Sequence, residues 1–252
     1  MNSVIAILTD FGARDGFVGA MKGVILGINP YVNTVDISHE VEPFNIMHGA
    51  LILRSHFFYF PKGTIFLCVV DPGVGSERLP VIVKAGDYLF VGPYNGLFDL
   101  ALRNIDKDPR AYKIEKYILP DISQTFHGRD IFAPAAAYLS RGVKPHKFGS
   151  PVEYRLTLPW EEARREGEYL VGKIVYFDRF GNCITNIPCS PCLEGVFRGK
   201  RLRIATHYLE VEKGEPALIC GSFGLMELFI PMDNAKERLK VERGEEIRVK
   251  VV

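Results

Sequence analysis

Ionisable residues are concentrated in one short stretch of an otherwise apolar segment, "TFHGRDIFAP", which spans residues 125–134. His127, Arg129 and Asp130 lie within four positions there. An imidazole, a guanidinium and a carboxylate together can hold and polarise a water molecule, because the carboxylate accepts the water's proton and the arginine fixes the carboxylate's charge. The same residue types also form structural ion pairs, here Arg129 with Asp130 beside a hydrogen-bonded His127, and the spacing alone favours that interpretation.

Two further aspartates directly follow apolar runs. Asp10 lies in "TDFG", and Asp71 begins "DPGVGSERLP", in which Arg78 follows seven positions later. The proline and glycines of the second motif predict a turn whose backbone can approach a ligand closely. It is not a phosphate-binding loop, because the GxxxxGK[ST] and GxGxxG spacings are absent. Each aspartate could bind a ligand or could cap the helix or turn that follows it.

The second half of the chain carries two candidate binding loops. "FDRFGNCITNI", residues 177–187, contains asparagines, which can pair with the donor and acceptor edges of a base, and Phe180, which offers a stacking face. "GSFGLME", residues 221–227, contains a Gly-Ser turn whose backbone N–H groups could bind a carboxylate. Both segments could equally be ordinary β-turns, in which Asn and Gly are also favoured.

Other kinds of site find little support in the sequence. The chain lacks the GxSxG nucleophile elbow and the HExxH zinc motif. His39, His48 and His56 are spaced nine and eight residues apart, which does not place them on one helix face, so they are interpreted as structural or surface residues. Cys189 and Cys192 form a single CxxC, interpreted as a loop with two thiols that could be bridged to each other.

The strands and helices that position these residues can be predicted in the first half of the chain. Short β-branched runs alternate with amphipathic stretches in the order "VIAIL", "GFVGAMKGVILGI", "NTVDIS", "NIMHGALILRSHFFYF" and "TIFLCVVD". This pattern predicts a βαβαβ arrangement, with a mostly parallel sheet flanked by helices. Ligands of such sheets bind at the carboxyl ends of the strands, so Asp10 and Asp71 should lie at the same edge.

The pattern changes after a charged stretch with a proline. We therefore predict an α/β domain over residues 1–155, a linker over 156–168 and a smaller all-β, barrel-like domain over 169–252. The C-terminal segments, such as "YLVGKIVYFD" and "PALICGSFGLMELFI", are rich in β-formers and separated by Gly, Pro and charged turns.

Composition excludes several classes of partner. The 252 residues carry a formal net charge of +1, so no global field favours nucleic acid or a membrane, and a small, neutral or self-balanced ligand is expected.

The N-terminus has no basic region and only a short apolar run, which predicts a soluble, cytoplasmic protein. Five dispersed cysteines argue against a secreted disulfide framework.

Taken together and in order, these motifs resemble the S-adenosyl-L-methionine (SAM) hydroxide adenosyltransferases, relatives of the fluorinases and chlorinases. The resemblance spans nearly the whole chain and rests on "TDFG", "DPGVG" with a following arginine, "FHGRDIFAPAAA", "DRFGNCITNI" and "GSFG". It implies hydrolysis of SAM to adenosine and L-methionine, by attack of activated water or hydroxide on the ribose C5′. It also implies a homotrimer with sites between subunits, and neither a metal nor a cofactor.

The resemblance also implies roles for individual residues. Asp71, Arg78 and His127 would form a triad that positions and activates the water, and Asp10 would hold the ribose hydroxyls. The substrate-binding set comprises Asp10, Phe11, Phe44, Gly128, Asp178, Phe180, Asn182 and Ser222. Within it, Asn182 would bind the adenine edge, while Asp178 and Ser222 would bind the methionine amine and carboxylate. Phe223 departs from the arginine that the halogenating relatives carry beside that serine.

Two alternatives to hydrolysis stay open at the level of sequence. The first is a SAM-dependent halogenase that forms 5′-halo-5′-deoxyadenosine. Halogenating relatives carry an uncharged group where this chain has Asp71, and a carboxylate beside a halide is unfavourable, so hydrolysis is favoured. The second is a non-catalytic SAM- or adenosine-binding protein, in which the triad residues serve only the structure.

Overall fold

The computed structural model describes residues 3–105 and 108–252 and divides into two compact units. The N-terminal unit ends at Leu158, and the C-terminal unit begins at Pro159. No helix in the described part of the chain is long and apolar enough to cross a membrane.

The N-terminal unit is an α/β unit built on seven strands. The strands are β1 (Val4–Thr9), β2 (Asn33–Ser38), β3 (Ile65–Val69), β4 (Pro80–Ala85), β5 (Tyr88–Pro93), β6 (Arg110–Lys113) and β7 (Pro151–Val152). The helices are α1 (Phe17–Ile28), α2 (Ile46–His56), α3 (Asp99–Leu102) and α4 (Ala133–Ser140), and a π-helical turn (Gly128–Phe132) precedes α4. The predicted βαβαβ segment therefore corresponds to β1 through β3.

The seven-stranded sheet has the order β2-β1-β3-β5-β4-β6-β7 and is mixed. Strands β2, β1, β3 and β5 are parallel neighbours, whereas β5, β4, β6 and β7 pair in antiparallel fashion. The prediction of a mostly parallel sheet is therefore wrong for one half of it. The physical reason is that only two residues, Gly86 and Asp87, connect β4 to β5, and so short a connection permits only an antiparallel hairpin.

Apolar side chains cover both faces of this sheet. In β1, Ile5 and Ile7 belong to one buried cluster, while Ala6 and Leu8 belong to another on the opposite face. The first cluster includes residues of α1 and α4, and the second includes residues of α2 and α3. Because both faces of the strand are buried, β1 is apolar from Val4 to Leu8, as expected for a sheet between two helical layers.

The C-terminal unit is mostly β. Its strands are β8 (Arg164–Glu166), β9 (Tyr169–Phe177), β10 (Cys183–Pro188), β11 (Cys192–Phe197), β12 (Lys200–Leu202), β13 (Ile204–Ala205), β14 (Ala217–Cys220), β15 (Leu225–Phe229) and β16 (Glu246–Val251). It also contains a short helix, α5 (Ala235–Leu239), so the unit is not strictly all-β.

The C-terminal sheet is nearly barrel-shaped. Its strand order is β12-β11-β16-β9-β10-β15-β14-β13, with β8 paired to β9. The strands at the two ends of this order, β12 and β13, are separated in the chain only by Arg203. The sheet must therefore curl until its edges approach one another, which protects edge strands that would otherwise be exposed.

The segment predicted as a linker, residues 156–168, contains ordered structure. The backbone N–H groups of Thr157 and Leu158 donate to the fully buried carboxylate of Asp99, at 2.6 and 2.8 Å. Farther along, Arg164–Glu166 forms β8 against β9. These hydrogen bonds tie Thr157 and Leu158 to the N-terminal unit, because a buried carboxyl group needs hydrogen-bond donors.

The cysteine pairing differs from the CxxC bridge that the sequence allowed. Cys189 forms a disulfide with Cys220, with their Cα atoms 5.3 Å apart, and Cys192 is a half-buried thiol. Strands β10 and β14 both pair with β15, which brings Cys189 and Cys220 together beside that strand. Cys192 instead begins β11 and pairs with Val251 of β16.

Candidate active site

Asp10 and Asp71 lie at the same edge of the N-terminal sheet, as the sequence predicts. Asp10 directly follows β1 and Asp71 lies just beyond β3, and these neighbouring parallel strands place Thr9 opposite Val69. Burial raises the pKa of Asp10, and the negative charge of Asp71 adds to this rise, whereas the backbone N–H of Phe44 opposes it. Asp71 therefore lies within electrostatic reach of Asp10.

The turn after β3 folds Arg78 back onto Asp71. Gly75 adopts a left-handed conformation (φ 77°), and a Cβ atom there would lie 2.4 Å from the carbonyl oxygen of Gln124, so only glycine fits. Arg78 Nε donates to Asp71 Oδ1 at 2.9 Å, and Nη2 donates to Oδ2 at 2.5 Å. The side chains are only 10% and 5% exposed, so this is a bidentate, largely desolvated ion pair.

His127 lies on the other side of Arg78. Its Nδ1 atom is 2.7 Å from Arg78 Nη2. Because an arginine keeps its protons, Arg78 donates this hydrogen bond and Nδ1 accepts it, which leaves the imidazole neutral with its proton on Nε2. Burial lowers the pKa of His127, as does the Arg78 charge, and the acids Asp71 and Asp130 only partly oppose these effects.

Asp71, Arg78 and His127 thus form one hydrogen-bonded row with the arginine in the middle, which we call the triad. Arg78 also lies over the ring of Phe132, 5.2 Å from its centroid. No partner for Arg78 Nη1 is found among residues 3–105 and 108–252. The row therefore offers a carboxylate, a guanidinium N–H and an imidazole N–H that could act on a small polar molecule.

Arg129 and Asp130 form the structural ion pair that the spacing of the motif favours. Arg129 Nε donates to Asp130 Oδ1 at 2.6 Å, and Asp130 is fully buried. Asp130 also accepts the backbone N–H of Ser123 at 2.9 Å, which holds the loop before His127. These two charges fix the backbone next to the triad rather than joining it.

Phe11, Phe44 and Gly128 surround the same edge of the sheet. Phe44 is 72% exposed and has a left-handed backbone (φ 66°), and its N–H donates to Asp10 Oδ2 at 2.8 Å. A Cβ atom on Gly128 would lie 3.2 Å from Phe11 and 3.3 Å from Phe126, so the glycine allows both rings to pack against the π-helical turn. Phe11 and Phe126 contact edge to face, with ring centroids 5.9 Å apart.

A second histidine supports the turn that carries Asp10, and the sequence motifs did not reveal this role. The buried Thr9 hydroxyl lies 2.8 Å from His39 Nδ1 and accepts the backbone N–H of Phe11 at 3.3 Å. The His39 carbonyl accepts the N–H of Gly12 at 2.8 Å. His39 is therefore structural, as expected, and Thr9, a polar residue inside an apolar strand, was its only sequence signal.

In the C-terminal unit, Asp178 organises the loop between β9 and β10. Its Oδ1 accepts the backbone N–H groups of Phe180 and Asn182, at 2.9 and 2.8 Å, and its Oδ2 accepts the Asn182 side-chain amide at 2.9 Å. This turn leaves Phe180 74% exposed. Asn182 is buried, and its side-chain amide nitrogen donates to Asp178.

A cavity of about 800 Å³ adjoins this loop within the C-terminal unit. Four of the predicted residues line it, namely Asp178, Phe180, Asn182 and Ser222. Tyr208 and Glu227 also line it, although no sequence motif pointed to them. A signal for Glu227 was present, because it is the one charged residue in the buried strand "LMELF".

The described residues contain no group of three or more His, Cys, Asp or Glu side chains arranged to hold a metal ion. His39, His48 and His56 have separate local partners. His48 Nδ1 accepts the backbone N–H of Glu42, and His56 Nδ1 lies 2.8 Å from the carbonyl of Ile52.

Two domains of one known family match the chain in order. Residues 5–149 match the domain described as "SAM hydroxide adenosyltransferase N-terminal domain" and residues 172–248 match the corresponding C-terminal domain. The first match contains Asp10 and the triad, and the second contains Asp178, Asn182 and the other cavity residues.

Similar proteins match along nearly the full length. A Thermus thermophilus protein named (R)-S-adenosyl-L-methionine hydrolase is 38% identical, covering 97% of this chain and 98% of that protein. A Methanocaldococcus jannaschii protein of the same name is 34% identical, covering 98% and 95%. A Fluorinase from Actinopolyspora mzabensis is more distant, at 28% identity over 73% of this chain and 71% of that protein.

A solved structure has a closely similar fold. The crystal structure of an uncharacterised conserved protein from Thermotoga maritima superimposes with a TM-score of 0.89 at 33% identity, covering 98% of this chain and 99% of that one. With both domains matched over most of its length, the chain belongs to the SAM hydroxide adenosyltransferase family.

Proposed function

We propose that this protein is an enzyme that hydrolyses (R)-S-adenosyl-L-methionine to adenosine and L-methionine. The observation that carries the proposal is the largely buried triad, whose Asp71 lies just beyond the carboxyl end of β3, in a chain of this family. The R epimer at sulfur comes from the name of the relatives that are 32–38% identical.

The triad would supply the nucleophile. Asp71 accepts a hydrogen bond from the water and takes up its proton as the oxygen attacks. Arg78 Nη1 and His127 Nε2–H donate to the oxygen and stabilise the developing hydroxide. The bidentate pairing orients Asp71, and it fixes the Arg78 plane so that Nη2 donates to His127 and Nη1 stays available.

Substitution at the ribose C5′ then needs no further activation. The oxygen forms a bond to C5′ while the C5′–S bond breaks, and the bonding pair goes to sulfur, which leaves as the neutral thioether of methionine. Because the positive charge of the sulfonium disappears, fixed dipoles in place of bulk water lower the barrier. A sulfonium is already a good leaving group, so we propose that neither a metal nor a cofactor takes part.

The remaining residues would hold the substrate. In the N-terminal unit, Asp10 accepts hydrogen bonds from the ribose hydroxyls beside Phe11, Phe44 and Gly128. In the C-terminal unit, the carbonyl oxygen of Asn182 accepts the adenine amino group, Phe180 stacks on the base, and Asp178 and Ser222 bind the methionine part. We propose that the protein is a homotrimer whose sites combine residues of two subunits. The cytoplasmic location expected from the sequence stays a prediction.

The deciding experiment is incubation with pure (R)- and (S)-SAM in ¹⁸O-labelled water. We expect the label in the 5′-hydroxyl of adenosine, with the R epimer consumed faster. Label in homoserine would instead place the attack on the methionyl chain and refute the proposed chemistry. If SAM bound and stayed intact, the protein would be a SAM-binding protein rather than an enzyme.

Halide competition separates hydrolysis from halogenation, the activity that the name of the more distant relatives suggests. A carboxylate about 4 Å from a halide costs about 4 kcal/mol at an effective dielectric constant near 20, before Arg78 offsets part of it. Adenosine should therefore remain the product in molar chloride or fluoride. Formation of 5′-chloro- or 5′-fluoro-5′-deoxyadenosine would overturn hydrolysis as the main reaction.

A further inference from the structure

The support that His39 gives to the Asp10 turn is one part of a longer row of polar side chains in the N-terminal unit. Lys22 Nζ, on α1, donates to Asp36 Oδ2 at 2.6 Å, and Asp36 Oδ1 lies 3.1 Å from His39 Nε2. His39 Nδ1 in turn lies 2.8 Å from the hydroxyl of Thr9, which is fully buried. The row therefore connects an ion pair at the surface to the last residue of β1, directly before Asp10.

A β-bulge in β2 places His39 beside Thr9. The pairing of β1 with β2 skips Ile37, so the register after it is advanced by one residue. As a result Ser38 lies opposite Leu8, and His39 comes beside Thr9 instead of one position beyond it. Bulges re-aim the side chains that follow them and are frequent next to active sites.

The positions of the protons along the row follow from its two ends. Burial alone would raise the pKa of Asp36, but its contacts with Lys22 and His39 outweigh burial and lower the pKa, so Asp36 is a carboxylate at neutral pH. A carboxylate only accepts hydrogen bonds, which favours a proton on His39 Nε2. A buried hydroxyl needs an acceptor, and the described part of the chain offers the Thr9 hydroxyl none besides His39 Nδ1. His39 is therefore neutral, and Thr9 donates to it.

This direction leaves the Thr9 oxygen available as an acceptor for the turn. The backbone N–H of Phe11 donates to it at 3.3 Å, which closes the turn around Asp10. The N–H of Phe44 donates to Asp10 Oδ2 at 2.8 Å. The first bond fixes the backbone of Asp10 and the second fixes its carboxylate, so a change at Thr9 would displace the carboxylate.

We propose that His39 and Asp36 are positioning residues for the ribose: through Thr9 they hold Asp10 where its carboxylate accepts both ribose hydroxyls, and they thereby set the preference for ribose over a deoxy sugar. This inference rests on the proposed function for the identity of the ligand. Thr9 is fully buried, so its hydroxyl is a hydrogen-bonding group and not a nucleophile, although the Asp–His–Thr order is that of a hydrolase triad.

The test replaces Thr9 with valine, which keeps the shape of the side chain and removes the hydroxyl. Calorimetric titration of the intact protein compares adenosine with 2′,3′-dideoxyadenosine, which lacks both hydroxyls that Asp10 would hold. We expect Thr9→Val to weaken adenosine binding by about 5-fold or more and 2′,3′-dideoxyadenosine binding by less than about 2-fold. Thr64→Val is the matched control and should change neither affinity, because Thr64 is also buried but donates to the Pro61 carbonyl at the opposite edge of the sheet.

Two amide variants test His39 itself. The side-chain oxygen of asparagine can take the place of Nδ1 as the acceptor for Thr9, whereas glutamine reaches the position of Nε2. We expect His39→Asn to keep the adenosine affinity within about 3-fold of the wild-type value, and His39→Gln to lose about as much as Thr9→Val. A role in folding alone would not separate the two variants by ligand.

Equal losses for both nucleosides, no loss for adenosine in Thr9→Val, or a larger loss in His39→Asn than in His39→Gln would overturn the inference. If Thr9→Val does not fold, the two His39 variants decide by the same comparison. Hydrolysis of SAM is measured separately on these variants, where KM should rise more than kcat falls. A protein that prefers adenosine through Thr9 but leaves SAM intact would refute the proposed function and leave this inference standing.

Discussion

Replacing Arg78 with lysine tests whether the triad acts through its geometry or only through its charge. Arg78 makes two hydrogen bonds to Asp71 and one to His127 from a single rigid plane. A lysine ammonium keeps the charge, but from a position near Asp71 it cannot also donate a hydrogen bond to His127, as the planar guanidinium does. Nη1, the N–H that would face the nucleophile, is lost as well.

The structure sets the expected size of this effect. Loss of a single donor that stabilises a developing anion lowers kcat by about 10²- to 10³-fold. We therefore expect Arg78→Lys to reduce kcat by at least about 100-fold. KM should change by less than about 3-fold, because Arg78 is not among the residues expected to bind SAM. Folding should persist, since the charge beside the 5% exposed Asp71 is retained. Arg78→Ala, in contrast, leaves that charge unpaired and should cost about 3–5 kcal/mol of unfolding free energy.

Arg129→Lys is the matched control, because Arg129 also forms a bidentate pair with an adjacent aspartate but does not contact the triad. The assay is adenosine formation from (R)-SAM, followed by chromatography, with circular dichroism to verify folding. If Arg78→Lys kept more than about a tenth of the wild-type kcat, or if Arg129→Lys lost as much, the geometric role assigned to Arg78 would be refuted.

Three further predictions concern pH, the disulfide and metals. Burial and the charge of Arg78 lower the pKa of His127 in the folded protein. As the pH falls below about 6.5, the histidine is therefore protonated in the unfolded chain before it is protonated in the folded one. The stability contribution of His127 should therefore be intact above pH 6.5 and be lost as the pH falls from about 6.5 to the lower folded-state pKa, whereas kcat should fall only near that lower pKa; a kcat midpoint above 6.5 would contradict this. Cys220→Ser should lower the unfolding free energy by about 3–4 kcal/mol, given the 31-residue separation of the disulfide, whereas Cys192→Ser should leave the melting temperature unchanged. Prolonged dialysis against EDTA should leave kcat unchanged, and a loss restored by a divalent cation would contradict metal-independent chemistry.

Local sequence patterns predicted the parts of this protein that local physics determines. Apolar runs predicted β1 and β3. A polar residue follows each run, and these two residues, Asp10 and Asp71, were predicted to be neighbours at one sheet edge, which the structure confirms. The Arg129–Asp130 ion pair could also be predicted from the sequence, because neighbouring residues can pair whatever fold the rest of the chain adopts. The antiparallel half of the sheet was missed, since its hairpin lies outside the alternating pattern.

The contacts between distant residues depended on the tertiary structure. Spacing alone linked His127 to Arg129 and Asp130, and the family resemblance linked it instead to Asp71 and Arg78. The hydrogen-bonding order, with Arg78 between the other two, is set by the tertiary structure. The pairing of Cys189 with Cys220 and the burial of Glu227 beside Gly221 likewise follow from strand order. Sequence alone determined the residue types and the strands that carry them, because periodicity and turn chemistry are local. Which side chains meet was decided only by the packing of strands far apart in the chain.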